Sequence, residues 1–279
     1  MPGGALMSLR SLTGSMTPAL ERIAQYVLHN ADQVIYQTVI EVADAAGSSE
    51  ASVVRFCRDL GFQGFQDFKL ALASDLVTSP VILPKQEKPT SAQSTADYVY
   101  NTARQVLDET RRLMNVDLLE EVVERILKAR RIDFYGVGNA GTTAQDFAQK
   151  LQRLGCAAIA YPDPHSAAVS AATLGPKDLA FGISVSGSSI DTVKALEQAK
   201  LAGAYTVAVT RGARSPITRF ADTVLLTSAP ESPLTRGSMG AKISQLMLLD
   251  FLFTRTALRH PKGAELLSKT AAAVADRSY

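Results

Sequence analysis

Beyond residue 130, short apolar runs alternate with segments of helical spacing, and this alternation constrains the fold more strongly than any other feature of the chain. Strands that are apolar on both faces and separated by helices are typical of a parallel sheet that helices cover on both sides. We therefore predict an α/β domain with a five-stranded parallel sheet, in which every strand leads into a loop at one shared edge. The predicted strands, the first of which runs into a glycine turn, occupy 131–138, 156–161, 179–185, 205–210 and 223–227. Helices are expected over about 95–114, 117–129, 142–154, 166–173, 191–202 and 238–258.

The composition changes near residue 77, and this change predicts how the 279 residues divide. Residues 78–95 carry three Pro, many polar side chains and no lasting period, as a linker between domains does. At roughly 150 residues per domain, the length suits two domains. We predict an all-helical domain over 1–77, a linker over 78–95 and a second domain over 96–279, with leading helices over 96–130 and an α/β core over 131–260.

Residues 39–56 of the helical domain carry the spacing of a helix-turn-helix. Ala43 lies where two helices would touch, Gly47 falls in the turn, and Val53 anchors the second helix. The spacing predicts helices over 38–46 and 49–60, the second of which would enter the major groove of DNA. In this interpretation its polar side chains face base edges, and further cations meet phosphates. The candidate DNA-contacting residues are Ser48, Ser49, Glu50, Ser52, Arg55, Arg58 and Lys69.

The charge of this domain favours a different interpretation, a helical cap or dimerisation module that touches no DNA. The whole chain has a net charge of +2, and residues 1–80 contain five Lys or Arg against eight Asp or Glu, a net charge of −3. Proteins that bind nucleic acid gain affinity by neutralising phosphates with Lys and Arg. Net charge bears on nonspecific binding and not on fold, so spacing and charge together leave both interpretations open. Phe62, Phe65 and Phe68, which follow, are expected in the core.

Two loops of the α/β domain carry groups that suit an anion. Residues 136–141 (GVGNAG) join a strand to a helix, where glycines allow close approach and the helix N-terminus attracts negative charge. Gly141 also completes a GxGxxG pattern, but a dinucleotide site needs an acidic residue about twenty positions on, and Asp163, after a Pro, fits that role poorly. Residues 184–189 (SVSGSS) place four hydroxyls around a Gly at a helix start. Capping explains one or two of them, so we predict a phosphate site there.

Two further residues near the same edge are weaker candidates. Glu231, before the last predicted helix, is a sugar-hydroxyl acceptor, a base or a solvated loop carboxylate. His165 precedes a predicted helix, and a turn or surface role is the favoured interpretation because a functional His needs a placed partner. Cys57 and Cys156 do not have the spacing of a zinc site. We therefore predict no metal and no other cofactor.

The sequence also constrains the compartment. No uncharged apolar run approaches the roughly 18 residues needed to span a bilayer. Residues 1–16 lack the sustained apolar core of a signal peptide, and either Met1 or Met7 is compatible with the start of translation. We expect a cytoplasmic protein with reduced thiols that does not associate with a membrane.

Taken together, these residues resemble the RpiR family of bacterial transcriptional regulators. The resemblance covers nearly the whole chain after about Leu9 and rests on residues 40–69, 130–141, 183–192 and 235–250. The family joins an N-terminal helix-turn-helix domain to a C-terminal SIS (sugar isomerase) domain. The resemblance therefore implies an all-α helix-turn-helix bundle followed by an α/β SIS domain. It also implies operator DNA, a phosphorylated sugar or sugar acid, and a homodimer or homotetramer formed through the SIS domains and helices.

The same resemblance implies roles for individual residues. Ser184, Ser186 and Ser189 match the hydroxyls of the family's phosphate loop, and Gly187 and Ser188 lie among them. Gly138, Asn139 and Ala140 fall in its first ligand loop, where many SIS domains have Ser in place of Ala140, so one hydroxyl donor to the ligand is missing here. Glu231 falls near the catalytic carboxylate of SIS isomerases. Regulators of the family bind without turnover, so the resemblance implies no catalytic role for it.

Three functions are compatible with these patterns. A sugar-phosphate isomerase needs an acid and a base on either side of the sugar carbons, and Glu231 with His165 is the visible pair. A nucleotide-binding module would use residues 136–141. The full-length resemblance favours the third function, a regulator of carbohydrate genes without enzymatic activity. In it the ligand shifts the population of two SIS arrangements and so changes the spacing of the helix-turn-helix units.

Overall fold

The computed structural model describes residues 4–12, 16–78, 91–229 and 239–275, and the chain divides into two compact units. The first unit extends from the N-terminus to Thr102, and the second begins at Ala103. The boundaries predicted from composition, at 77 and 95, stay predictions, because most of the segment between them lies outside the described residues.

The first unit is built from short helices, as its sequence pattern predicts. Its helices are α1 (Ala5–Leu12), α2 (Pro18–His29), α3 (Ala31–Val34), α4 (Val39–Ala45), α5 (Glu50–Asp59) and α6 (Phe65–Thr78). Pro18 occupies the first position of α2, where a missing N–H costs nothing. The sequence analysis did not foresee α1, whose Ala5 and Leu9 are fully buried against this core.

Capping and aromatic packing fix the middle of this unit. Thr38 accepts a hydrogen bond from the backbone N–H of Glu41, and the Glu41 carboxylate accepts one from the backbone N–H of Thr38. This reciprocal capping box satisfies two backbone donors at the start of α4. The expectation for the phenylalanines is confirmed, because Phe62, Phe65 and Phe68 are at most 7% exposed and Phe62 packs edge-on against Phe68.

One long helix, α7, spans Ala92–Leu113, and the division between the two units falls inside it. The sequence analysis placed its start at about residue 95, inside the predicted linker. Ser91 explains the earlier start, since its hydroxyl accepts a hydrogen bond from the Ser94 backbone N–H, as an N-cap does. Residues 92–95 therefore belong to a helix.

The second unit is an α/β layer structure. After the carboxyl half of α7 it contains α8 (Val116–Lys128), β1 (Ile132–Tyr135), α9 (Asn139–Gln152), β2 (Ala158–Tyr161), α10 (Pro164–Ala171), β3 (Leu179–Ile183), α11 (Ile190–Leu201), β4 (Tyr205–Thr210), a 3-10 helix (Pro216–Phe220), β5 (Thr223–Leu226), α12 (Met239–Arg259) and α13 (Gly263–Ala272). The sequence analysis did not foresee the 3-10 helix or α13. The predicted five-stranded sheet is confirmed.

All five strands are parallel and follow the order β2-β1-β3-β4-β5. Phe134 in β1 pairs with Ala160 in β2 and with Phe181 in β3. One face of the sheet buries its side chains against α8, α9 and α12, and the other buries them against α10, α11 and the 3-10 helix. Helices on both faces explain why the strands are apolar throughout and not alternating.

The start of α9 differs from the prediction and matters for the site. The helix begins at Asn139 and not near Thr142, because Gly138 adopts a positive φ of 59° and turns the chain directly from β1 into the helix. Asn139 and Ala140 therefore belong to the first helical turn. None of the helices in the described part of the chain combines the length and the hydrophobicity that a membrane span requires.

Candidate functional sites

The helix-turn-helix pattern folds as its spacing predicts. Ala43 and Val53, which hold the two helices together, are 2% and 1% exposed. Gly47 has a φ of 57°, and the backbone N–H of Ser48 donates to the carbonyl of Ala43, which closes α4 in the manner of a left-handed C-cap. Ser49 then caps α5 by accepting a hydrogen bond from the backbone N–H of Ser52.

The outer face of α5 carries most of the residues that the sequence pattern assigns to DNA. Ser49, Arg55 and Arg58 are exposed, and Glu50 and Ser52 are partly exposed. The side chain of Arg55 is 73% exposed and lies 3.8 Å from the carboxylate of Asp59, a loose pair that leaves the guanidinium accessible. The N-terminus of α5 and its two arginines therefore form one exposed surface, here called the α5 surface.

Two residues predicted to contact DNA do not belong to this surface. Lys69 is 6% exposed, its Nζ donates to the carbonyl of Gln37 at 2.8 Å, and it lies over the ring of Phe65. An ammonium group held inside the unit cannot meet a phosphate, so the prediction for Lys69 is not carried forward. The hydroxyl of Ser48 is also buried and has no hydrogen-bond partner among the described residues, which removes it from base contact.

Arg22 is a residue that the sequence analysis missed. Its Nη2 donates to the carbonyl of Gly47 at 3.0 Å, and its Nη1 lies 3.4 Å from the carbonyl of Pro18. The side chain thus ties α2 to the turn that precedes α5. The helix-turn-helix spacing covers residues 39–56 only. It therefore does not reveal that a cation on α2 contacts the turn.

In the second unit, the strand order reverses direction at the boundary between β1 and β3. The chain passes from β1 outwards to β2 and then returns to the other side of β1 for β3. In open parallel sheets this switch point creates a crevice at the carboxyl ends of the two strands, and ligands bind there. The loops that follow β1 and β3 are residues 136–138 and 184–189, the two loops that the sequence predicts to bind an anion.

The glycines of the first loop allow the strand end and the helix start to touch. A Cβ on Gly136 would meet the backbone of Ala140 at 3.0 Å, and a Cβ on Gly141 would meet the carbonyl oxygen of Gly136 at 2.8 Å. Close packing between β1 and α9 thus explains both positions without a dinucleotide. Gly138 and Asn139 are exposed at the same place, and Ala140 is partly buried.

The second loop, residues 184–189, is called the serine loop. Ser184 is 2% exposed and its hydroxyl lies 3.1 Å from that of Ser189. The hydroxyl of Ser186 accepts a hydrogen bond from the backbone N–H of Ser188. Gly187 has a φ of 62°, and its carbonyl accepts a hydrogen bond from the backbone N–H of Ile217 in the 3-10 helix. The hydroxyls of the serine loop are therefore close together, and the bond from Ile217 holds the loop against the 3-10 helix.

The two helices that begin at the switch point, α9 and α11, differ from α10 in how their N-termini are capped. In the described part of the chain, no side chain caps α9 or α11, which begin after Gly138 and Ser189. By contrast, Asp163 caps α10 by accepting a hydrogen bond from the backbone N–H of Ser166, which holds the pKa of this carboxyl below its ordinary value. The starts of α9 and α11 thus favour an anion without a competing side-chain cap, whereas the Asp163 carboxylate disfavours one at α10.

His165 is exposed in the first turn of α10, which follows β2. This helix packs against α11, the helix that follows the serine loop, so His165 lies at the same edge of the sheet on a neighbouring helix. Glu231, the other half of the acid–base pair considered above, lies outside the described residues.

Lys242 is a second residue that the sequence analysis missed. It is part of the first turn of α12, and its Nζ donates to the hydroxyl of Thr142 at 2.6 Å. The Thr142 hydroxyl donates in turn to the carbonyl of Asn139. A cation therefore lies beside the first turn of α9. The sequence does show a Lys near the start of the helix that follows β5. In a parallel sheet, that helix start lies at the same edge as the loops after β1 and β3.

Comparisons with known proteins agree with this architecture. The chain matches the helix-turn-helix domain of the rpiR family over residues 3–79 and the SIS domain over residues 125–255. An HTH-type transcriptional regulator of Caldanaerobacter subterraneus subsp. tengcongensis is 36% identical over 260 residues, which cover 90% of each chain.

Two solved structures are similar to this one. The NanR protein of Vibrio vulnificus, solved in complex with ManNAc-6P, is 32% identical and superposes with a TM-score of 0.90 over 99% of this chain and 100% of that chain. The sugar isomerase domain of an RpiR transcription factor from Sphaerobacter thermophilus is 25% identical, with a TM-score of 0.58 over 63% of this chain and 97% of that chain.

A helix-turn-helix unit joined to an SIS unit with a serine loop at its switch point defines a class of transcriptional regulator. Within that class, the chain belongs to the RpiR family.

Proposed function

We propose that this protein binds operator DNA through the α5 surface and a phosphorylated sugar or sugar acid at the switch point, and that the ligand changes its affinity for DNA. The genes it controls would serve carbohydrate metabolism. The observation that carries the proposal is the serine loop at the switch point of a chain that also contains a helix-turn-helix. As a regulator of this kind, the protein acts in the cytoplasm as a homodimer or homotetramer and binds its ligand without converting it.

The ligand chemistry follows from the groups at the switch point. A phosphate monoester carries up to two negative charges and accepts several hydrogen bonds. The serine loop supplies the hydroxyls of Ser184, Ser186, Ser188 and Ser189, and the first turn of α11 supplies backbone N–H groups. Asn139 and Lys242 lie on the β1 side of the crevice, where they suit the hydroxyl or carboxylate groups of a sugar. ManNAc-6P, the compound bound by the similar NanR protein, carries a phosphate monoester and sugar hydroxyls and is the first candidate.

The ligand part of the proposal is tested with the double variant Ser184→Ala, Ser186→Ala. We expect ManNAc-6P to raise the melting temperature of the wild-type protein by mass action and to lose at least tenfold in affinity for the variant, since two hydroxyl donors are removed. Differential scanning fluorimetry and calorimetric titration measure the two effects. Unphosphorylated ManNAc serves as the ligand control, and glucose 6-phosphate and 6-phosphogluconate extend the panel.

The matched protein control is Ser166→Ala, which removes one exposed hydroxyl from α10 at the same edge. Its affinity for the ligand should equal that of the wild type. Absence of a thermal shift with every phosphorylated compound of the panel would contradict the ligand part of the proposal.

The DNA part is tested with Arg55→Ala and Arg58→Ala. Duplexes selected from a random pool supply the operator, and fluorescence anisotropy measures its affinity. Each substitution is expected to weaken operator binding about five- to a hundredfold, the range for a charged contact to base or phosphate, and to leave ligand binding unchanged. Arg153→Ala, the same charge change at the exposed end of α9, is the control. If the three variants bind alike, the α5 surface does not contact DNA.

The alternative function, a sugar-phosphate isomerase, makes a distinct prediction. It requires an acid and a base near the sugar carbons, the roles for which Glu231 and His165 are the candidates. Incubation of the protein with each phosphorylated sugar, followed by NMR of the sugar carbons, should show no conversion. Stoichiometric binding together with turnover would establish the isomerase instead.

A further inference from the structure

The boundary between the two units falls within the helix α7. This helix spans 22 residues from Ala92 to Leu113, and the first unit ends inside it at Thr102. At 1.5 Å per residue it is about 33 Å long. Because an uninterrupted helix resists bending, a small tilt of its carboxyl half displaces its amino half by a larger distance.

The carboxyl half of α7 is the part that is anchored in the α/β unit. Residues 97–101 are exposed, whereas Val106 and Thr110 are 1% and 0% exposed. Thr110 is a polar side chain inside the unit, and its hydroxyl has a specific partner. The backbone N–H of Ser228 donates to Thr110 Oγ1 at 3.1 Å.

The side chain of Ser228 makes a second contact with the same helix. Its hydroxyl donates to Glu109 Oε2 at 2.5 Å, and Gln105 Nε2 donates to the other carboxylate oxygen of Glu109 at 2.8 Å. Together with the contact to Thr110, this forms a two-point attachment, here called the Ser228 clamp. The two hydrogen bonds hold the pKa of Glu109 below its ordinary value, the bond from Ser228 with the larger effect, so the carboxylate is ionised at neutral pH.

The Ser228 clamp is connected to the serine loop by consecutive hydrogen bonds. The hydroxyl of Thr210, at the end of β4, donates to the carbonyl of Val185 in the serine loop at 3.2 Å. The carbonyl of Thr210 accepts a hydrogen bond from the backbone N–H of Thr227 at 3.0 Å. Thr227 adjoins Ser228, so three links lead from the serine loop to α7.

We infer that Ser228 is a positioning residue that transmits ligand binding at the serine loop to α7 and so to the DNA-binding unit. The inference rests on the proposed function, since it needs both a ligand at the serine loop and DNA at the α5 surface. A ligand that shifts the serine loop moves Thr210 and the residues that follow β5, and the Ser228 clamp converts that movement into a tilt of α7. The differential affinity of the ligand for the two positions of α7 sets the size of the response.

The test compares the response to ligand in Ser228→Ala with that in the wild type. The measured quantity is the ratio of operator affinities with and without ManNAc-6P, or the strongest binder of the panel above, in the full-length protein. A coupled wild type should give a ratio in the range of about 5 to 150. We expect Ser228→Ala to bring the ratio close to 1, while ligand affinity and ligand-free operator affinity each stay within about threefold of the wild type.

Two further variants separate coupling from loss of structure. Ser228→Thr keeps the hydroxyl donor and should retain the wild-type ratio. Glu109→Ala removes the acceptor from α7 and should reproduce the loss, which keeps the inference testable if Ser228→Ala does not fold. Gln105→Ala removes a hydrogen bond from the same carboxylate without touching Ser228 and is the matched control, so it should respond like the wild type.

The possible outcomes distinguish a failure of the coupling role of Ser228 from a failure of the proposed function. If the wild type binds ligand and operator but its ratio is 1, or if it fails to bind either, the proposed function fails and this inference fails with it. If the wild type responds and Ser228→Ala responds equally, the Ser228 clamp does not transmit binding and the proposed function stands. Equal loss in Gln105→Ala and Ser228→Ala would also overturn the inference, because it would show a general effect of perturbing α7.

Discussion

At the scale of single residues, the α/β unit contains a buried carboxylate that is paired with an exposed guanidinium. The guanidinium of Arg130 makes two hydrogen bonds with Asp178, from Nε to Oδ1 at 2.9 Å and from Nη2 to Oδ2 at 2.7 Å. The side chain of Asp178 is fully buried and also accepts a hydrogen bond from the backbone N–H of Gly175. This carboxylate therefore joins the segment between α8 and β1 to the turn before β3.

The pair makes stability depend on pH. The Arg130 guanidinium, and after it the Gly175 N–H, hold the pKa of Asp178 below its ordinary value of about 4. Because the folded-state pKa is depressed, the contribution is complete above pH 4 and is lost as the pH falls through the folded-state value. We expect Asp178→Asn to lower the free energy of unfolding by about 1–3 kcal/mol at pH 7, with a smaller difference from the wild type at pH 3.

Urea unfolding at both pH values measures this effect. Asp250→Asn, which breaks the exposed pair with Lys150, is the control and should change stability by less than 1 kcal/mol. A difference between Asp178→Asn and wild type that is the same at pH 3 and pH 7 would show that the ionised pair is not its source.

Sequence reasoning found side chains with a local signal and missed those whose role depends on distant packing. Ser184 and Ser186 were identifiable because they stand beside a glycine where a strand meets a helix. The sequence offers Lys69 and Arg58 alike as phosphate contacts. Lys69 instead points into the unit, where its ammonium donates to the carbonyl of Gln37, 32 residues away. Arg22 and Lys242 were missed for the same reason, since their partners lie 25 and 100 residues away.

At the scale of elements, periodicity located the strands and most helices but not α1, the 3-10 helix or α13, and the remaining errors concern where elements begin. The strand predicted at 156–161 begins at Ala158, and α9 begins three residues before its predicted start. The backbone geometry at a single position, such as the positive φ of Gly138, decides where an element begins. The spacing of apolar residues contains no information about that geometry. The candidate site depends on these ends, because helix starts supply its N–H groups.

Gly138 and Gly187 allow this geometry to be tested, since both have positive φ in the loops of the switch point. A Cβ on Gly187 would lie 2.1 Å from the hydroxyl of the fully buried Ser215, whereas a Cβ on Gly138 would have nothing within 4 Å. Gly138→Ala should therefore cost about 1 kcal/mol from backbone strain alone. Gly187→Ala should cost more and displace the serine loop, with at least tenfold weaker binding of the phosphorylated ligand.

Chemical denaturation and ligand titration of the two variants provide the measurement. Equal losses of stability and of ligand affinity would indicate that backbone strain, and not the contact with Ser215, governs the loop.

At the scale of the whole molecule, the part of the chain proposed to bind DNA is acidic, and the part proposed to bind a small anion is basic. Residues 1–80 have a net charge of −3, while residues 131–279, with sixteen basic and eleven acidic side chains, have +5. Because Lys69 is buried and Arg22 is bound to the Gly47 carbonyl, Arg55 and Arg58 are the exposed cations of α5 on which DNA binding depends in our proposal. Few phosphate contacts per subunit predict modest affinity for nonspecific DNA, and association of subunits compensates by adding binding sites.

The two cysteines give each unit its own chemical reporter of local opening. Cys57 belongs to α5 and is fully buried, and this burial raises the pKa of its thiol to about 12. Cys156, before β2, is partly buried. Because burial shields the Cys57 thiol and keeps it protonated, a thiol reagent should modify Cys57 only when the first unit opens.

Mass spectrometry of the alkylated peptides, followed over time, would then yield separate opening rates for the two units of one unlabelled chain. We expect operator DNA to slow the modification of Cys57 and the phosphorylated ligand to act first on Cys156. Rapid alkylation of Cys57 in the native protein, at the rate of a free thiol, would contradict its burial. The buried thiol of Cys57 would thus report when α5 separates from the rest of its unit.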